Sequence, residues 1–95
     1  MTVINDKIIK TVAQCNGLSV EELLGKRRQQ RFVEAREMLY AILYFSYDYR
    51  LTQIADLMGK NHTTVYHALE QYKTDFVMNP DFRKRMLNIK LTLNV

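Results

Sequence analysis

Two short runs hold most of the side chains able to recognise another molecule. Lys60-Asn61-His62-Thr63-Thr64 follows Gly59, and Lys26-Arg27-Arg28-Gln29-Gln30-Arg31 lies upstream of it. Their chemistry is hydrogen bonding and charge neutralisation. Asn reads adenine through two hydrogen bonds, Thr packs its methyl on thymine, and Lys reaches guanine or phosphate. A run that opens a helix also presents free backbone amides and a partial positive charge, which suits phosphate. A plainer reading of Asn61 and Thr63 is helix capping. The two readings are compatible, because the capped end is the end presented to a groove. Residues 26–31 show no apolar periodicity and read as an exposed basic loop. Beside the first run, that loop reads as a nucleic-acid contact rather than a merely solvated stretch.

Catalytic patterns are absent from the sequence: it has no paired carboxylates, nucleophile elbow, metal cluster or glycine-rich phosphate loop. His62 and His67 stand five apart, so they do not share a helix face as zinc ligands at i, i+4 would. His62 reads as a DNA contact and His67 as a packing or phosphate-facing residue. Cys15, the lone cysteine, allows no internal disulfide and reads as a small core hydrophobe. Tyr40, Tyr44, Phe45, Tyr47 and Tyr49 crowd one stretch and read as core and interface rather than as a platform for single-stranded bases. The expectation is therefore a non-enzyme without cofactor, metal or small-molecule substrate. There is no signal-peptide pattern and no apolar run near the ~18 residues of a membrane span, so a cytoplasmic, nucleoid-associated protein is expected.

The 95 residues make a single domain, 1–95, of ordinary composition: 47% hydrophobic and 25% charged. The net charge of +4 suits a polyanion, and its distribution is more telling. Residues 26–36 sum to +4 and 76–95 to +3, whereas 1–25 sum to −1 and 37–58 to −2.

Helical periodicity organises the rest. Val3, Ile4, Ile8, Val12 and Cys15 predict a helix over 3–15, stopped by Asn16-Gly17. Ser19-Val20-Glu21-Glu22 is a capping box opening a short helix with Val20, Leu23 and Leu24, which ends near Gly25. A long helix is predicted from about Val33 to Tyr47. Thr52 is expected to cap the next helix, Gly59 to end it, and Asn61 to cap a helix running to about Phe76 with Val65, Ala68, Leu69 and Tyr72 inward. Asn79-Pro80-Asp81 then opens a last helix carrying Phe82, Met86, Ile89 and Leu93 on one stripe. Arg83, Lys84, Arg85 and Lys90 read as its solvated face. No segment shows two-residue alternation. The fold class is all-α, a compact bundle of about six helices.

Within it, Leu51 to Ala68 has the layout of a DNA-binding helix-turn-helix. Ile54 is spaced to be buried and Ala55 is small where two helices cross. Gly59 supplies the positive backbone φ of the turn, and Val65 closes the inner face.

Lys60-Asn61-His62-Thr63-Thr64-Val65-Tyr66-His67-Ala68 resembles the signature of the C-terminal DNA-binding domain of the bacterial replication initiator DnaA. The upstream Leu24-Gly25-Lys26-Arg27-Arg28, the Asp56 position and Arg36 resemble that family too, and the likeness extends from about Val3 to Leu93. It implies a fold similar to the Trp-repressor and DnaA DNA-binding domains, and a two-part grip on double-stranded DNA. The second motif helix would read the major groove through Asn61, His62, Thr63 and Thr64. The loop would place an arginine, Arg28 foremost, in the adjacent minor groove, where narrow A/T-rich segments attract it. Lys26, Arg27, Arg31, Arg36 and Lys60 would hold phosphates, with Thr52 and His67 completing the expected DNA-binding set.

The chain departs from the family pattern at several places. A single Gly59 after Met58 replaces a glycine pair and shortens the turn by one residue. Lys60 replaces Arg, Asn61 replaces Asp, and Ala35 replaces a proline. Gln30 and Glu34 stand where arginines are common, and Glu34 would repel phosphate if it faced DNA. Without a phosphate loop, the chain is either a fragment of an initiator or a free-standing protein carrying the module; Met1 and the self-contained first helix favour the latter. The expected function is sequence-specific duplex binding by a monomer, related to replication initiation or its regulation. The alternative is a protein-interaction adaptor or transcriptional regulator retaining the fold.

Overall fold

The computed structural model describes residues 3–95, and their side chains from residue 5 onward. Its helices are α1 (Val3–Cys15), α2 (Val20–Leu24), α3 (Gln30–Ala41), α4 (Leu51–Met58), α5 (His62–Met78) and α6 (Pro80–Leu93). A π-helical turn over Ile42–Ser46 extends α3. No strand occurs among the described residues, as the lack of two-residue alternation implied. The side chains of Val3 and Ile4, assigned above to the apolar face of α1, lie outside the described residues.

The long middle helix is the hub. Met38, Leu39, Ile42 and Leu43 are sealed from solvent, and α1, α2 and α5 all pack against α3. Ile8 and Val12 of α1, Leu23 of α2, Val65 and Leu69 of α5, and Phe82, Met86 and Ile89 of α6 complete one core. Each such side chain contributes about 1.5–3 kcal/mol on burial. This core holds the two ends that matter below, the loop after α2 and the start of α5.

Local chemistry sets the helix ends. Ser19 Oγ accepts from the Glu22 amide at 3.1 Å while Glu22 Oε1 accepts from the Ser19 amide at 2.9 Å, the reciprocal pair expected of a capping box. Asn79 Oδ1 accepts from the Phe82 amide at 3.1 Å, with Pro80 in the first turn.

Two boundaries differ from expectation. The middle helix begins at Gln30 rather than Val33, so the basic loop ends at Gln29 and Arg31 is helical, not part of a 26–31 loop. Phe32 is almost fully buried and anchors that first turn, and Gln30 Nε2 donates to Glu34 one turn on at 3.0 Å. Thr52 does not cap α4. The helix begins at Leu51, where the Arg50 amide donates to Gln53 Oε1 at 2.8 Å, and Thr52 stands exposed in the first turn.

Candidate nucleic-acid interface

Turn chemistry fixes the angle between α4 and α5. Gly59 adopts φ +65°, the left-handed conformation that closes a helix end. The Gly59 amide donates to Asp56 O at 3.4 Å and the Lys60 amide to Ala55 O at 2.9 Å. Ile54 and Ala55 are buried where the two helices meet, as their spacing implied. Asn61 then caps α5: its Oδ1 accepts from the Thr63 amide at 2.8 Å and the Thr64 amide at 3.4 Å. With Val65 and Leu69 turned inward, Asn61, His62, Thr63, Thr64, Tyr66 and His67 are left exposed. A hydroxyl-rich, capped and exposed helix end is the result.

The basic loop comes to this end across a cleft of about 400 Å³. Lys26, Arg28 and Arg36 line one side, and Lys60, Thr64 and His67 the other. Residues far apart in sequence thus converge on one cleft. Arg27 is exposed on the same loop.

The loop owes its path to Arg36. Its guanidinium donates to Leu23 O at 2.8 Å, Arg27 O at 2.5 Å and Glu22 O at 3.0 Å. These carbonyls belong to the end of α2 and the loop, so Arg36 ties both to α3. Burial, together with nearby Arg28, lowers its pKa, while Tyr40 opposes the shift.

The structure does not bring every expected residue to the cleft. Arg31 Nη2 donates to Asn16 O at 2.8 Å and lines a separate hollow with Cys15, Glu34 and Arg85. Thr52 borders a third cleft, among Tyr44, Phe45, Tyr49 and Arg50. Glu34 is buried on the Arg31 side, held by Arg85 at 2.7 Å and by Gln30. Arg85 also donates to Asn16 Oδ1 at 2.7 Å and pairs with Asp81 at 2.9 Å. A carboxylate expected to trouble phosphate thus pins α3 to α6.

One cleft residue escaped sequence reasoning. Glu37 lines the cleft yet is almost fully buried, and its Oε1 has no hydrogen-bond partner. Burial foremost, then a shared hydrogen bond with Asp75 of α5 and the charges of Asp75 and Glu34, push its carboxyl up to about 9. At neutral pH it is uncharged and adds no negative charge beneath the cations. The signal was its spacing: Val33, Glu37 and Tyr40 fall on one helical stripe, which places an acid among inward residues. Cys15 behaves as expected, its thiol raised by burial and packed beside the core.

Among the described residues no group of three or more metal-ligating side chains occurs, and no helix is long and apolar enough to cross a membrane. The sequence matches a family model described as the bacterial DnaA protein helix-turn-helix over residues 5–71. That span takes in most of α1, the basic loop, the turn and the start of α5. The chain therefore belongs to the bacterial DnaA helix-turn-helix family of DNA-binding domains, related to the initiation of replication.

Proposed function

We propose that the chain reads duplex DNA with α5 in the major groove and the basic loop in the adjacent minor groove. One observation carries this reading: the loop cations and the start of α5 border the same cleft. Asn61, His62, Thr63 and Thr64 meet base edges, with Asn61 favouring adenine. Arg28 enters the minor groove and favours A/T-rich segments, where the negative potential is strongest. Lys26, Arg27, Lys60 and His67 hold the phosphates of the strand running between the grooves, fixing register without reading sequence. Arg36 acts through the loop it latches, and the domain binds as a monomer.

The adaptor alternative rests on the exposed tyrosines and on Glu34 and Gln30 in place of arginines. These last two are engaged with each other on the side away from the cleft, and Glu34 also with Arg85. What still supports it is the exposure of Tyr44, Phe45 and Tyr66.

A bulky substitution tests the groove assignment. Thr63→Trp is expected to abolish discrimination between a duplex carrying the family's box and a scrambled duplex, leaving weak, salt-sensitive binding to both. Retained preference would contradict a major-groove role for this end of α5.

A further inference from the structure

α6 carries a buried apolar stripe and an outward row with two exposed leucines. The first, Phe82, Met86, Ile89 and Leu93, is buried against α1 and α5. The second lies on the opposite side. At 100° per residue, Pro80, Lys84, Leu87 and Leu91 form one row facing away from the core. Leu91 is 79% exposed and Leu87 45%, and with Lys84 they border a surface groove of about 660 Å³. A partner that covers Leu87 and Leu91 would gain the burial of both side chains.

The charges around the stripe say what kind of cover fits. Arg83 and Lys90 flank Leu87 on one side of the helix and Lys84 on the other. The one acid of α6, Asp81, is already paired with Arg85. A second copy of the chain would bring like charge to like charge. None of these α6 residues lines the cleft between the basic loop and α5, so the stripe is separate from the proposed DNA-reading surface.

We propose that this face of α6 docks an acidic amphipathic helix of a partner protein. The leucine row packs against an apolar ridge of that helix, ridges into grooves. Glutamates or aspartates beside the ridge pair with Lys84, Lys90 and Arg83. DNA and partner are held together, because they use different surfaces.

A synthetic peptide supplies the test, with leucines at i, i+4 and i+7 flanked by glutamates; its control has the same composition with the leucines scattered around the helix. Amide resonances of the full chain are followed by NMR, with and without duplex. The peptide, but not its control, is expected to shift Lys84, Leu87 and Leu91 while duplex remains bound. Leu91→Ser and Lys84→Glu should each weaken the peptide roughly tenfold. Both sites are exposed, and unchanged helicity and duplex affinity would show that the fold survives. Equal response to the control, or shifts confined to residues 60–67, would reduce the effect to general polyanion binding and overturn the proposal. So would failure of the leucine-row peptide to bind, uptake of the chain by anionic vesicles in place of the peptide, or self-association that Leu91→Ser abolishes.

Discussion

Arg28 and Glu37 border the same cleft with opposite tasks. Arg28 is exposed and carries its charge outward. Replacing it with Ala is expected to weaken binding most on A/T-rich sites, which anisotropy titrations on matched A/T and G/C duplexes would show. Equal loss on every duplex would reduce it to a phosphate contact. Glu37 keeps charge out. Its ordinary carboxyl value of 4.5 applies to the unfolded chain and about 9 to the fold. Between those values the folded chain holds the extra proton, so this group's contribution is complete below pH 4.5 and is lost as pH rises toward 9. Glu37→Gln keeps the neutral shape without the titration. It is expected to be more stable than the parent at pH 8 by at least about 1 kcal/mol, with the gap closing toward pH 5. Urea unfolding at both pH values checks this, and a pH-independent difference would contradict it. The carboxyl pair was hidden in the sequence because Glu37 and Asp75 lie on different helices. Glu34 and Arg85 were hidden for the same reason, and Glu34 taken alone looked like a hazard to DNA.

Elements positioned by neighbouring residues were the legible ones. Asn61 caps α5 through amides two and three residues on, Ser19 and Glu22 satisfy each other, and Gly59 turns the chain by its own φ. The start of α3 was misplaced because Arg31 finds its acceptor on Asn16, at the end of a different helix, and Phe32 finds the core rather than a local partner. Thr52 has the chemistry of a cap, but Gln53 reaching back to Arg50 starts the helix two residues earlier. The path of the basic loop was equally unreadable, since it hangs on one guanidinium and three carbonyls. Arg36→Met should therefore cost about 2–3 kcal/mol of stability and speed amide exchange over residues 26–29. Lost DNA affinity with unchanged exchange would make Arg36 a direct phosphate contact instead. At the turn, a Cβ on Gly59 meets nothing within 4 Å, so Gly59→Ala pays only for the left-handed backbone, about 1–2 kcal/mol. A much larger loss in thermal or urea unfolding would mean the turn is strained in another way.

On the scale of the whole molecule, charge is sorted by position. The segment 26–36 sums to +4, with Lys26, Arg28 and Arg36 bordering the cleft, and 76–95 sums to +3 and surrounds the outer row of α6. The sum of +4 alone separates neither role; the fold does, by placing the loop beside α5 and turning one face of α6 outward. Binding through about four phosphates gives a logarithmic salt slope of roughly −3 to −4. The most direct measurement is fluorescence anisotropy of the chain on a duplex carrying the family's box and on a scrambled duplex, across a salt series. The expected result is preference for the box that persists as salt rises, with both affinities falling at about that slope. Absence of binding to either duplex at low salt would contradict DNA recognition by this cleft.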